Sequence, residues 1–286
     1  MINIRGVTLS LHPLFVIVML MSILTGSFIE LITLFVIVLI HEMGHMSAAI
    51  LLGIKVRSVQ LLPFGGVVSI EDHGKLTAWK EIIIALAGPL QNGIMMGIGM
   101  IFLAEGWGNN AVISYIVHGN MVIALFNLLP ILPLDGGKIV QSLASRLFPY
   151  HWTLLWSSRV SIVTSMVVIA YAMLPLIKGE GIIQLNILMI GIFLFYSNLI
   201  DYRNLPYRFM RFLMNRDLIY TKYVISGSIA QPIVTDITKH LENILRLFKR
   251  EKYHLIYIMD KDGKVIAVLP EQRLIAAYFS HGRRLP

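Results

Sequence analysis

The chain contains no cysteine. That excludes a thiol nucleophile, a thiolate-ligated metal site and disulfides. Charge is scarce as well: Asp, Glu, Lys and Arg make up 14% of the 286 residues, while 56% are hydrophobic. A soluble domain carries about a quarter charged residues. Together with a mean hydropathy of +0.74, these values predict a polytopic α-helical membrane protein. The first apolar run lacks a small-residue cleavage site and reads as a retained span rather than a signal peptide. A net charge of +8 would suit a nucleic acid, but the basic residues are placed as they would be at a cytoplasmic membrane face, so no nucleic-acid partner is expected.

What the chain does have is His41-Glu42-Met43-Gly44-His45, an HExxH pattern inside an apolar run. The ten residues before it, Leu31 to Ile40, would cover about half of a roughly 30 Å hydrocarbon core at ~1.5 Å rise per residue. Positions i and i+4 share a helix face, so His41 and His45 can offer two imidazoles to one metal ion. Glu42, the next residue round, can reach a water at that metal as a general base. The plain alternative is that these side chains pair with one another in a bundle. Chance would produce the pattern on the order of one time in a hundred at this composition. A charged residue at mid-membrane costs about 2.5–3.5 kcal/mol, so a helix carrying it without use is disfavoured.

Apolar runs predict about six spans, near residues 11–24, 28–52, 82–103, 112–129, 160–177 and 182–200. Residues 1–10 form a short head, and His12-Pro13 stands at the start of the first span as an interfacial feature. Between the second and third spans, Lys55 to Gln60 alternates polar and apolar, Leu61-Leu62-Pro63-Phe64-Gly65-Gly66 interrupts, and Val67 to Ile70 resumes. This predicts a β-hairpin, either on the surface or dipping into the membrane where protein covers it; the apolar 61–68 stretch favours the second. Pro89 is expected to kink the third span, and Gly93 and Gly97 offer close helix packing. Lys and Arg avoid the loops after the first and third expected spans, and Lys178 alone follows the fifth. Arg5, Lys55, Arg57, Lys75, Lys80, Lys138, Arg146, Arg159, Arg203, Arg208, Arg211 and Arg216 lie at the other ends. Both termini are then cytoplasmic. Beyond Asp201 the composition turns soluble: a basic linker, then α-β-β-α in roughly 60 residues, a domain marginal by itself. The expected organisation is a membrane part at 1–205, a linker at 206–220 and a small domain at 221–286.

A catalytic zinc keeps three protein ligands and one open position. Glu30 and Glu105 fall at outer loops, Asp72, His73 and Glu81 beside the hairpin, and His118 in the outer part of its span. Asp135 is an isolated acid in a helix-breaking run, Asn127-Leu-Leu-Pro130-Ile-Leu-Pro133-Leu134-Asp135-Gly136-Gly137. It reads as the third ligand or as the cap of the following helix. No acid pair of the GxGD kind and no G-x-S-x-G with a serving histidine stands in the spans, so aspartyl and serine chemistry find no support.

With HExxH, Ala87-Gly88-Pro89-Leu90-Gln91-Asn92 and the Leu134-Asp135-Gly136 run placed, the chain resembles the site-2 family of intramembrane zinc metalloproteases over residues up to about Leu205. The resemblance implies one zinc ion, with His41, His45 and Asp135 as ligands and Glu42 as base. It places Asn127 and Pro133 beside the substrate cleft, where Asn127 either hydrogen-bonds substrate or packs between helices. Gly65 and Gly66 belong to a hairpin edge that could pair with an unwound substrate. The tail is similar to a single CBS domain, which suggests ATP binding and pairing with a second copy. Nucleotide-binding examples often carry Thr or Ser with Asp three residues on, whereas this chain reads Pro270-Glu271-Gln272-Arg273. The branch with such a tail implies a pro-sigma-K-like protein substrate, membrane proteins that hold the enzyme silent, and the mother-cell membrane around a bacterial forespore. The competing reading is a non-catalytic membrane sensor with a structural metal and a ligand-sensing tail; a solvent-open metal position separates the two.

Overall fold

The computed structural model describes residues 2–4, 7–11, 19, 23, 26, 28–62, 65–70, 76–177, 184–217, 220, 227 and 229–281. Among them, five helices are long and apolar enough to cross a membrane: α1 (Phe28–Leu51), α2 (Ala78–Ala104), α3 (Asn110–Asn127), α5 (Tyr150–Ile177) and α6 (Leu185–Met214). A shorter helix, α4 (Asp135–Leu147), stands between α3 and α5. The first expected span, with His12 and Pro13, lies almost wholly outside the described residues, as do Asp72 and His73.

Two segments depart from the expected pattern at the N-terminal side. The head expected at residues 1–10 contains strands β1 (Ile2–Ile4) and β2 (Val7–Leu11). With β3 (Val56–Leu62) and β4 (Gly65–Ile70) they form a four-stranded sheet in the order β1-β2-β3-β4. The expected hairpin is β3–β4, with Leu61 opposite Gly66 and Leu62 opposite Gly65. Strand β2 runs parallel to β3. A parallel pair needs a crossover, and α1 lies within this one.

The stop of α1 has a local cause. Gly53 adopts φ +74°, Ile54 N–H donates to Ala49 C=O at 2.9 Å, and Gly53 N–H to Ile50 C=O at 2.9 Å. This is a Schellman termination, sealed by contact between buried Ile54 and Ala49. Pro89 stands inside a helix that continues to Ala104. Gly93 and Gly97 do not serve close packing, since a Cβ at either would meet nothing within 4 Å.

Helices α5 and α6 outrun the expected spans. Helix α5 begins at Tyr150 rather than near 160, and α6 continues to Met214 through the stretch read as linker. At ~1.5 Å per residue a 30-residue helix spans about 45 Å, longer than a hydrocarbon core. Its end therefore has a second use. Phe209, Phe212 and Leu213 join Ile233, Ile244, Leu245, Phe248, Ile256, Leu274 and Ile275 in one buried cluster. The tail borrows part of its core from the membrane helix.

The tail itself comprises β5 (Gln231–Asp236), α7 (Leu241–Leu245), β6 (His254–Met259), β7 (Val265–Pro270) and α8 (Glu271–His281). Strand β5 was not expected; it pairs in parallel with β6, which pairs antiparallel with β7. Arg216, just past α6, fastens the two parts. It is fully buried, pairs with Glu271 through Nε at 2.9 Å and Nη2 at 2.6 Å, and donates to the carbonyls of Lys249 and Lys252. Its guanidinium lies 5.2 Å from the ring centres of both Phe212 and Phe248. Glu271 also accepts from His254 Nδ1 at 3.1 Å. Glu271 is thus committed to a buried ion pair.

Burial holds His254 below its ordinary pKa, with Glu271 opposing and Arg216 assisting. Burial alone would raise Glu271, but hydrogen bonds from His254 and Arg216 outweigh it and lower its pKa. The unfolded tail thus binds more protons than the folded tail once pH falls below His254's ordinary 6.5. Tail stability falls with pH from there and falls further in the carboxylate range. Replacing Arg216 by Ala leaves Glu271 buried without its cation, which should destabilise the tail by about 3–5 kcal/mol. Limited proteolysis of detergent-solubilised protein should then cut the tail while sparing α1 to α5, and acid pH should produce a milder form of the same pattern.

Candidate metal centre

The site forms where α1, α2 and the start of α4 meet. Helix α1 turns His41, Glu42 and His45 inward, and all three are buried. Asp135 opens α4 and is also buried. Its Oδ2 lies 3.1 Å from His41 Nε2 and 3.0 Å from His45 Nε2, and the two Nε2 atoms are 3.1 Å apart. A carboxylate oxygen of Glu42 lies within 4.8 Å of the ligand nitrogens of both histidines. The other oxygen of Asp135, Oδ1, pairs with Lys138 Nζ at 3.1 Å.

Hydrogen bonding fixes which imidazole nitrogens face this point. His45 Nδ1 lies 2.7 Å from the carbonyl oxygen of Ile84; a carbonyl only accepts, so Nδ1 carries the proton. Asn120 Nδ2 donates to Ile116 C=O at 2.9 Å, which turns Asn120 Oδ1 toward Asn92 Nδ2 at 2.9 Å. Asn92 Oδ1 then faces His41 Nδ1 at 2.5 Å and accepts a hydrogen bond from its N–H. In the neutral imidazoles both Nε2 atoms are left with lone pairs. Two lone pairs and a carboxylate oxygen converge, which is repulsive unless a cation or proton sits among them. Ligands of a tetrahedral zinc with bonds of about 2.0–2.2 Å stand roughly 3.3–3.5 Å apart. The observed triangle is slightly tighter, and His, His and carboxylate is a donor set that zinc takes. His41, His45 and Asp135 could therefore hold such an ion, with their outer nitrogens oriented by Asn92 and by Ile84.

Glycine makes the approach possible. A Cβ at Gly44 would meet the Ala87 carbonyl oxygen at 2.7 Å, and one at Gly88 would overlap the His45 and His41 rings. Cβ atoms at Gly136 and Gly137 would run into the backbone of Leu128 and of Ile131. Small residues thus bring α2 against α1 and seat α4 on the segment before it.

The other expected residues fall as follows. Asn127 Nδ2 donates to Ile123 C=O of its own helix at 3.1 Å. Pro133 is exposed within an otherwise buried run, 131–137. Gly65 and Gly66 start β4. Glu81 pairs with Arg250 of the tail at 2.7 Å and accepts from Ser142 of α4 at 2.7 Å. His118 is exposed on α3. The tail's Glu251, at φ +58°, accepts from Ala78 N–H at 2.5 Å and so caps α2, where Thr77 makes no capping bond. Sequence reasoning gave no role to Asn92 or Asn120. Both are amides inside membrane helices, a feature that marks function or packing; the Ile84 carbonyl has no sequence signal.

The description of peptidase family M50 matches residues 29–110 and 104–174, just over half the chain. Over 275 residues the chain is 31% identical to stage IV sporulation protein FB of Bacillus subtilis, covering 95% of this chain and 91% of that relative. It is 27% identical over 204 residues to a zinc metalloprotease of Methanocaldococcus jannaschii, covering 68% of this chain and 56% of the relative. Among solved structures, the site-2 protease from Methanocaldococcus jannaschii matches with a TM-score of 0.56 at 23% identity, over 71% of this chain and 94% of that one. At that identity the likeness is one of fold. The matched family region, the near full-length relative and the shared membrane fold lead to one conclusion: the chain belongs to peptidase family M50, the site-2 protease family.

Proposed function

We propose that this protein is an intramembrane zinc endopeptidase in which His41, His45 and Asp135 hold one zinc ion and Glu42 is the general base. The observation that carries this reading is the convergence of two Nε2 atoms and one carboxylate oxygen at 3.0–3.1 Å, with Glu42 beside them. Bound zinc supplies Lewis acidity, which makes water acidic enough to lose a proton near neutral pH. The Glu42 carboxylate takes that proton as water attacks the scissile carbonyl, and returns it to the leaving amine nitrogen. Asn92 and the Ile84 carbonyl keep both imidazoles in the tautomer that ligation needs. Asn127, Pro133 and the β4 edge at Gly65 and Gly66 line the approach of an unwound substrate segment, which pairs with the sheet as an added strand.

In this reading residues 1–205 form the protease part and 221–286 a CBS-like tail, with 206–220 between them. Both termini are cytoplasmic. The substrate is a pro-sigma-K-like factor cleaved at the mother-cell membrane, where membrane proteins restrain the enzyme; the likeness to a protein named for sporulation supports this. The tail pairs with a second copy through its outer sheet face. There, exposed Val234 and Val268 flank Tyr257 in register.

Co-expression with a pro-sigma-K-like substrate, with zinc measured per purified chain, tests the assignment. Glu42→Gln should abolish cleavage and leave zinc near one per chain, since Glu42 is not a ligand. Asp135→Asn should lose zinc and cleavage together, most strongly under a chelator, and His41→Phe should lose more. Full zinc and activity in Asp135→Asn would defeat the reading. For the hairpin, Gly65→Val should lower turnover several-fold beyond any loss of protein, because a side chain obstructs close backbone approach. Cleavage that falls only with abundance would make the hairpin structural.

A further inference from the structure

The segment that delivers Asp135 is not held by its own hydrogen bonds alone. Between α3 and α4 it contains Pro130 and Pro133, neither of which has an N–H, and its Ile131, Leu132 and Leu134 are buried, where backbone polar groups need protein partners. Its other amides can be traced. Leu128 N–H donates to Ala124 C=O at 3.0 Å, Leu129 to Phe126 at 3.2 Å, Ile131 to Leu129 at 2.8 Å and Leu134 to Ile131 at 3.0 Å. All of those bonds are local.

Leu132, three residues before Asp135, is held from outside. Its N–H donates to Ser161 Oγ of α5 at 2.9 Å, and its carbonyl accepts from Asn198 Nδ2 of α6 at 2.6 Å. Asn198 Nδ2 also donates to Leu194 C=O at 2.8 Å. Two carbonyl acceptors leave no doubt which end of the amide is nitrogen. Asn198 is fully buried and its Oδ1 has no hydrogen-bond partner among the described residues. The amide is therefore kept at a cost, with one acceptor unmet, which points to a use for the end that is engaged. Apolar contact reinforces the grip, as Leu194 packs with Ile131 and Leu134. The seating of Gly136 and Gly137 on Leu128 and Ile131 carries any shift of this segment directly into the first turn of α4.

We infer that Asn198 and Ser161 are positioning residues: they clamp both polar groups of Leu132 and so fix the Asp135 carboxylate at the metal point. This rests on Asp135 being a metal ligand. It gives the last two membrane helices a part in the chemistry although they touch none of the reacting atoms.

The test uses full-length detergent-purified protein loaded with zinc, comparing Asn198→Leu, Ser161→Ala, Ser161→Thr and Gly191→Ala. Gly191→Ala is the packing control, because a Cβ there would meet Ile169 at 2.8 Å and disturb the contact of α6 with α5 without removing either hydrogen bond to Leu132. Zinc retention against a graded chelator and the melting temperature are read on each, beside cleavage. Asn198→Leu should retain zinc about 10-fold or more weakly than the parent, and kcat should fall more than KM rises. Ser161→Ala should shift the same way and Ser161→Thr, which keeps the hydroxyl, should recover. Gly191→Ala should lower the melting temperature without weakening zinc retention. If Asn198→Leu holds zinc as firmly as Gly191→Ala, the positioning role is overturned while the metal site stands. A parent that retains no zinc overturns both.

Discussion

Everything in the membrane part answers one constraint: two imidazoles and a carboxylate are buried together, within about 3 Å of each other, among apolar helices. Groups of this kind are expensive at depth unless each polar atom has a partner. The partners come from every helix nearby. Ile84 and Asn92 of α2 accept hydrogen bonds from the outer N–H groups of the imidazoles, and Asn120 of α3 sets the orientation of Asn92. Asp135 arrives on a segment pinned by α5 and α6. At the central point the two Nε2 atoms and the Asp135 oxygen meet, and that is the place proposed for a cation.

Close approach is the second demand, and glycine meets it. Gly44 and Gly88 sit where α1 and α2 cross, and Gly136 and Gly137 where α4 leaves its preceding loop. In each place a methyl group would collide with backbone or with a site imidazole. The two glycines expected to mediate packing, Gly93 and Gly97, face open space instead. Spacing along one helix shows that two small residues share a face; it does not show what that face meets.

The tail is tied to the same helices. Arg250 reaches Glu81 and the Leu76 carbonyl, Glu251 caps α2, and Ser142 of α4 shares Glu81. The N-terminal turn of α2 is thereby in contact with the tail domain, and α4 is linked to it through the shared Glu81. That domain is small, and it completes its core with Phe209, Phe212 and Leu213 from the end of a membrane helix. A stretch read from composition as a basic linker is in fact load shared between the two parts, because a 30-residue helix is longer than the membrane it crosses.

The sequence by itself determined the membrane class, through scarce charge and long apolar runs, and it singled out the residues proposed to carry chemistry. HExxH sets its own geometry, because four residues along a helix return to the same face. The β3–β4 hairpin and most spans were legible from local pattern for the same reason. Only the tertiary structure decided how Asp135, ninety-four residues from His41, comes to the same point, and which amides hold it there. It also decided that β1 and β2 join the hairpin sheet and that Arg216 and Glu271 close the tail. These contacts join residues far apart in the chain, and no periodicity records them. Asn120, Asn198 and Ser161 are visible in the sequence only as polar residues inside apolar helices, and Asn92 only as the end of a motif; what each one grips is settled by the packing of helices against each other.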